Sequence, residues 1–438
     1  MRRFTTSRSI VLVSGVSVIL NIFCSSGQAA LKGGCAKVNI TPPLGIPLIG
    51  SYGKPSDEIL DELYAKALVL DDGTNAVAIL SADLLYTPLE EITDPVRKII
   101  TEKIGIPERN ILLCATHTHS GPEVFSKSKL RPDKRIDKSS IDVPYRKTLV
   151  GKIAGSVLIA HKNMQPVKIG AAKGEVPEIV FNRRPTDANG LAKMTFSLPP
   201  GAGATRKIVK DNEGSTLVTF DIPDGQAKLR FGPVDPEVCV LRAEDVDGEI
   251  VASLINFGCH PVSIYPSRST SVSADYPGHA TRIVEQTEGG LCLFTLGSAG
   301  NAVPFARGVE PCRKLGTALA GEALRRLQFV PTTDNVTLKA AKRKIVFPTK
   351  KSSSPEAGDE TVTTEIQALK LGDIYVLGLP GEILIEVGLE IKSRAALENL
   401  FIVTISNDSI GYVCHSRAYD EGGYEPVSGT NLAKGAGE

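Results

Sequence analysis

The chain of 438 residues has six histidines, and two of them stand two positions apart in Thr116-His117-Thr118-His119-Ser120-Gly121-Pro122. The run before them, residues 110–115 (Asn-Ile-Leu-Leu-Cys-Ala), is short and apolar, the pattern of a buried strand. Side chains two apart on a strand share a face, so both imidazoles are expected to look the same way. Neutral imidazole suits zinc, and a His-x-His pair at a strand end offers two nitrogens already oriented. Solvated or hydrogen-bonded histidines are the bland alternative, and the apolar lead-in favours metal.

Two further residues extend this set. His260, in Cys259-His260-Pro261, follows the apolar run 251–257, and Pro261 biases it to extended backbone. A third nitrogen there would complete three-quarters of a tetrahedral site; a satisfied loop histidine is the alternative. Glu382, in Leu379-Pro380-Gly381-Glu382, puts a carboxylate where a loop enters a helix carrying Ile383, Leu384, Val387 and Ile391. A plain preference for the positive end of that helix would also explain it. Of the other histidines, His161 ends a helix and complements its dipole, His279 reads as a surface helix residue, and His415, near Tyr412, is a reserve ligand.

The elements that must position these groups read as a layered α/β domain with a mixed sheet. Residues 77–83 form a buried strand. A helix follows, with Asp94 as cap, Pro95 in its first turn, an apolar face of Val96, Ile99, Ile100 and Ile104, and Gly105 as its stop. A second helix carries Leu149, Ile153 and Val157. Strands recur at 251–257, 291–296, 373–379 and 401–405, whereas 126–142, 189–214 and 352–360 read as loops and the tail from Gly429 as mobile. His117, His119, His260, the polar stretch Ser298 to Asn301 and Glu382 all follow the carboxyl ends of expected strands, the edge where open α/β sheets bind ligands. One site can collect them all.

Composition narrows the partners. Fifty Lys+Arg against 49 Asp+Glu leave a net charge of +1, and no basic stripe is interleaved with aromatics, so nucleic acid is not an expected partner. Residues 1–29 combine Arg2, Arg3 and Arg8 with an apolar run and small residues at Gly27 and Ala29, a secretory signal that leaves 30–438 as a single domain, secreted or periplasmic. Lipoprotein anchoring at Cys24 fits less well beside the bulky Phe23. Seven cysteines remain of eight, mostly in apolar runs and never as C-x-x-C, so they read as buried small hydrophobes rather than a disulfide framework or thiolate zinc site. A metal must then use nitrogen and oxygen.

Taken in order, Gly34-Cys35-Ala36-Lys37-Val38-Asn39-Ile40-Thr41-Pro42-Pro43, Leu68-Val69-Leu70-Asp71-Asp72-Gly73, the Thr116 to Pro122 element, His260-Pro261, Ser273-Ala274-Asp275-Tyr276-Pro277-Gly278 and Pro380-Gly381-Glu382 resemble the neutral/alkaline non-lysosomal ceramidase family. The Thr-His-Thr-His-Ser-Gly-Pro element is the specific one. The resemblance implies a zinc-dependent amidase that cleaves the N-acyl bond of ceramide or a related lipid amide through zinc-bound hydroxide. It implies zinc ligands His117, His260, Glu382 and Tyr412, the tyrosine resting on Gly411-Tyr412-Val413 followed by Tyr424. It also implies that His119 stands beside the metal, with Tyr424 and Arg183 (Asn182-Arg183-Arg184-Pro185) as further donors to the developing oxyanion.

The chain departs from the family pattern in two respects. Gly300-Asn301-Ala302-Val303-Pro304 puts Val303 where the family has a serine, with Ser298 and Asn301 as the nearby polar candidates. The chain also stops soon after Tyr424, where larger members carry a β-sandwich, and it has no Trp and only 5% aromatic residues, so amide hydrolysis is expected more firmly than ceramide itself. Two other functions compete: a metal-dependent hydrolase of small amides or phosphoesters, and an exported binding protein that keeps the scaffold without turnover. The expected partner is a lipid or small amide, with peripheral membrane contact and no span after signal removal.

Overall fold

The computed structural model describes residues 30–51, 54–123, 143–194, 196–199, 201–222, 229–350 and 361–438. The signal assigned to residues 1–29 and the loops at 126–142 and 352–360 lie outside them.

Three mixed sheets, rather than one, build the layers. The first runs Ile111–Ala115, Ala76–Ala82, Tyr64–Asp71, Lys32–Asn39 and Gln165–Pro166; the second Leu291–Leu296, Ile250–Phe257, Glu237–Glu244 and Lys168–Glu175. The third runs Leu338–Pro348, Thr361–Leu371, Ile374–Gly378 and Asn399–Val403. Each sheet is antiparallel except for one terminal parallel pair: 76–82 with 111–115, 250–257 with 291–296, and 374–378 with 399–403. These are the continuous apolar runs of the sequence, as expected of strands covered on both faces.

Side chains alternate between two cores. In the first sheet Ala67, Val69, Ala78, Leu80, Ile111 and Leu113 point to one core, which includes Val96 and Ile100 of the helix Asp94–Ile104 and Leu149, Ile153 and Val157 of Val143–Lys162. Leu68, Leu70, Val77, Ile79, Leu112 and Cys114 point to the other, shared with Leu241, Leu254 and Leu293 of the second sheet and Leu369, Val376 and Phe401 of the third. The helices Asp275–Glu288 and Val309–Leu327 contribute Ala280, Val284, Leu315 and Leu319 to the first core.

The carboxyl ends of the three parallel pairs meet. Within pairs, Thr116 N donates to Ala82 O (2.8 Å), Gly297 N to Phe257 O (2.9 Å) and Leu379 N to Val403 O (2.9 Å). Between sheets, the segment after Asn399–Val403 ties both neighbours: Thr404 N donates to Leu296 O (2.8 Å), Ala115 N to Ile405 O (3.2 Å) and Asn407 N to Leu113 O (2.7 Å). Ile405 and Asn407 take left-handed backbone there, with φ of 52° and 64°. The strand-end edge expected from the sequence is thus a junction of three sheets.

Other expectations change. Residues 189–214 contain the strand Lys207–Lys210, paired with Thr216–Thr219. The tail is not loose: Thr430 and Leu432 are buried, Leu432 bridges to Thr349, and Lys350 Nζ donates to Thr430 O (2.7 Å). All seven described cysteines are free thiols. On the helix Asp94–Ile104 the fully buried residues include Arg97, whereas Ile99 and Ile104 are partly exposed. Arg97 Nη1 donates to Glu365 Oε1 (2.6 Å), Nη2 to Gln367 Oε1 (3.0 Å), and Nε to Ile111 O (3.1 Å), joining the helix to the first and third sheets.

Truncating one partner of a buried ion pair leaves an uncompensated charge. Arg97→Leu is expected to cost about 3 kcal/mol in urea unfolding; a loss below about 1 kcal/mol, the scale of an exposed pair, would contradict this role for Arg97.

Candidate metal centre and active site

His117 does not lie on the strand. Ile111–Ala115 ends two residues earlier, and His117 takes left-handed backbone with φ of 69°. The shared-face argument is therefore replaced by a turn, at a cost of about 1–2 kcal/mol for a residue with a Cβ. That turn is pinned by His117 N to Leu84 O (2.9 Å), His119 N to Pro261 O (3.3 Å) and Gly50 N to His119 O (3.1 Å). The rings still meet, with centroids 5.0 Å apart at 84°.

His260 arrives from the second sheet, its backbone N–H held by Ala302 O at 2.9 Å. Glu382 does not enter a helix: it opens the two-residue strand Glu382–Ile383, paired in parallel with Tyr412–Val413, and the helix begins at Ile385. Glu382 and Tyr412 are register partners. Gly300 makes room for this ribbon, since a Cβ there would fall 2.8 Å from Glu382 O.

The polarity of the centre follows from its second contacts. His117 Nδ1 lies 2.9 Å from Leu85 O, and His260 Nδ1 lies 2.5 Å from Ala299 O. A carbonyl only accepts, so both Nδ1 atoms carry hydrogen, and Nε2 of each ring is the atom left to face the centre. Both Nε2 atoms face a carboxylate: Glu382 Oε2 is 3.0 Å from His260 Nε2 and 3.4 Å from His117 Nε2. Burial and then Arg183 push the His260 imidazole down to about 4, so the protonated ring that would donate to Glu382 is not populated at neutral pH. Burial opposes ionisation of Glu382, but the charge and hydrogen bonds that the two imidazoles supply when protonated, His117 first, outweigh it and hold its carboxyl well below the usual range. Three potential metal-ligating atoms thus converge in the interior, on residues each at most 4% exposed. In a tetrahedral zinc site with bonds of about 2.0–2.1 Å, ligand atoms stand about 3.3 Å apart, close to what is seen.

His119 completes a group that could hold a metal ion, the ligand atoms of His117, His119 and His260 lying within 4.8 Å of one another. Burial, then His117 and His260, hold His119 well below the ordinary imidazole value. Its Nε2 has no hydrogen-bond partner among the described residues, and Tyr265 stacks on its ring at 5.7 Å.

On the far side, Arg183 Nη2 donates to Tyr412 Oη (3.0 Å) and Gly300 O (2.9 Å), and Nε to Glu425 Oε1 (2.9 Å). Burial opposes the guanidinium charge, but Tyr412 and Glu425 hold it firmly protonated. Arg183 therefore grips the phenol rather than standing open to a substrate. Tyr424 packs edge-on against Tyr412 with centroids 5.6 Å apart. Glu425, fully buried, also accepts from Arg184 Nη1 (2.8 Å). Nothing near Arg183 in sequence announces this bridge, because the acid comes from the other end of the chain.

Several residues stay outside. Val303 is buried in the strand Ala302–Pro304, opposite Phe181. Asn301 is spent on the helix Ile385–Ala395, accepting from Ile385 N and donating to Glu386 Oε2, both at 2.8 Å. Ser298 Oγ faces Gly388, where a Cβ would lie 2.1 Å away. His415 caps a helix, accepting from Ala418 N, and His161 and His279 sit in helices away from the group. Tyr86, unremarked in the sequence, donates from its hydroxyl to Glu382 Oε1 at 3.0 Å.

These shifts set a pH dependence for the metal-free protein. His260 is neutral in the fold, with a value near 4 against 6.5 for the free side chain, so its contribution is complete above pH 6.5 and is lost as pH falls toward 4. Glu382, depressed in the fold, acts in the same direction below its free value of 4.5. Urea midpoints of chelator-treated protein should fall steadily from pH 7 to 5; a midpoint constant over that range would contradict a neutral buried His260.

Residues 33–189 match the family described as neutral/alkaline non-lysosomal ceramidase, N-terminal. Neutral ceramidase B of Dictyostelium discoideum is 25% identical over 338 residues, covering 69% of this chain and 42% of that protein. The neutral ceramidase of Pseudomonas aeruginosa is 22% identical over 307 residues, covering 67% and 40%. The chain thus spans less than half the length of these curated relatives. Its fold is similar to the crystal structure of the neutral ceramidase from P. aeruginosa, with a TM-score of 0.70 at 18% identity over 91% of this chain and 71% of that one. A ceramidase complexed with C2 gives a TM-score of 0.69 at 17% identity, over 92% and 72%. By matched segment, relatives and fold, the chain resembles the neutral/alkaline non-lysosomal ceramidases.

Proposed function

We propose that this chain is an exported zinc-dependent amidase that cleaves the N-acyl amide of ceramide or a related lipid amide, with residues 30–438 as one catalytic domain. The observation that carries the metal is the convergence of His117 Nε2, His260 Nε2 and Glu382 Oε2, three potential ligand atoms with the carboxylate oxygen 3.4 and 3.0 Å from the two nitrogens, close to the spacing of a tetrahedral zinc site. We assign the ligands as His117, His260, Glu382 and Tyr412. Arg183, by donating to Tyr412 Oη, favours the ionised phenol that a metal requires. The matched family and the named relatives support the amide and the lipid.

Zinc, when bound, supplies a Lewis acid that acidifies a water and polarises a carbonyl. The chain's own groups do the rest. His119 is left beside the metal, neutral and with an uncommitted Nε2, in position to meet the negative charge that builds on the amide oxygen. Tyr424, next to Tyr412, offers a second hydroxyl on that side. Hydrolysis moves one proton from the attacking water to the departing amine, and we assign that transfer to Glu382, which would bind the metal through one oxygen only. Val303 offers no hydroxyl, so the reading uses water and forms no acyl-serine. No described helix is long and apolar enough to cross a membrane, and peripheral contact with a bilayer suits a lipid substrate.

Zinc content together with cleavage of a fluorescent short-chain ceramide analogue tests this. Wild type should hold zinc and release the amine, and His117→Ala should lose both. Zinc without amide cleavage would favour the binding protein, phosphoester cleavage instead would favour the other hydrolase, and full zinc in His117→Ala would contradict the ligand. His119→Ala separates its two roles: it should keep zinc while kcat drops on the order of a hundredfold. Loss of zinc would make His119 a ligand.

A further inference from the structure

The two oxygens of Glu382 have different surroundings. Oε2 faces the imidazoles, whereas Oε1 accepts from the Tyr86 hydroxyl at 3.0 Å. The Tyr86 ring packs against His117, centroids 5.5 Å apart at 50°. Its two predecessors also hold His117: Leu84 O takes the backbone N–H and Leu85 O takes Nδ1, each at 2.9 Å. Three consecutive residues at the end of the strand Ala76–Ala82 therefore grip two groups that are far apart in the chain.

From this we infer that Tyr86 is a positioning residue for the metal centre. Its hydroxyl pins Oε1 of Glu382, so that Oε2 alone is presented toward His117 and His260. A carboxylate free to swing could turn either oxygen, or both, toward a cation. Bonding one oxygen to a phenol whose ring rests on His117 removes that freedom and fixes the spacing between carboxylate and imidazole. The inference rests on the metal reading proposed above and extends it to a residue outside the ligand set. Outer hydrogen-bond partners of this kind typically set metal affinity by tenfold to about a hundredfold.

The test is Tyr86→Phe in the full chain, which deletes the hydroxyl and keeps the ring on His117 at a half-buried position. Zinc affinity of the metal-free protein, measured by chelator competition, should fall about tenfold to a hundredfold. The absorption spectrum of the cobalt-substituted protein should change in intensity, reporting a carboxylate that binds differently. In a Glu382→Ala background the same substitution should add no further loss, because the hydroxyl acts only through that carboxylate. Affinity within twofold of wild type, an unchanged cobalt spectrum, or an equal loss in both backgrounds would overturn the inference. Failure of the underlying metal reading shows separately, as a wild-type chain that binds no zinc or a His117→Ala chain that binds it as tightly.

Discussion

Three potential metal ligands from three parts of the chain face one another in a buried centre, and the rest of the architecture is arranged to hold them there. Backbone carbonyls of Leu85 and Ala299 hold Nδ1 of two imidazoles, which leaves Nε2 of each directed at Glu382. A buried polar cluster of this kind is costly unless its charges and lone pairs are paired. A cation would pair them, and the left-handed backbone of His117 is strain of the kind that persists where a site demands it.

The fold supplies the means. Each sheet contributes one parallel pair, and the three pairs end at a common junction laced by the segment after Asn399–Val403. His117 leaves the first sheet there, His260 the second, and Glu382 the third. Because the sheets share cores across their inner faces, the three groups are held by packing of the whole molecule rather than by a single loop. The ribbon pairing Glu382 with Tyr412 then brings the phenol alongside, and the Arg183–Glu425 bridge closes the far wall.

Much of this was legible in the residues. The apolar runs announced the strands, Pro95 and Gly105 bounded their helix, and the strand-end positions of the histidines pointed to one collecting edge. The shared-face argument for His117 and His119 reached a true proximity by the wrong route, since pattern cannot reveal a left-handed turn. Glu382 looked like a helix entry because two-residue strands leave no periodicity. The partners Tyr86 and Glu425 were out of reach for a different reason: their meaning lies wholly in contacts across long sequence separations. Arg97 is out of reach for the same reason, since the acid that pairs with its buried guanidinium lies on the third sheet.

The central claim is that a metal sits among His117, His260 and Glu382. Crystals grown with zinc and measured on both sides of its absorption edge test it most directly. An anomalous peak within bonding distance of His117 Nε2, His260 Nε2 and Glu382 Oε2 is the predicted result. Well-ordered side chains at these positions with no anomalous peak among them, at saturating zinc and neutral pH, would contradict it.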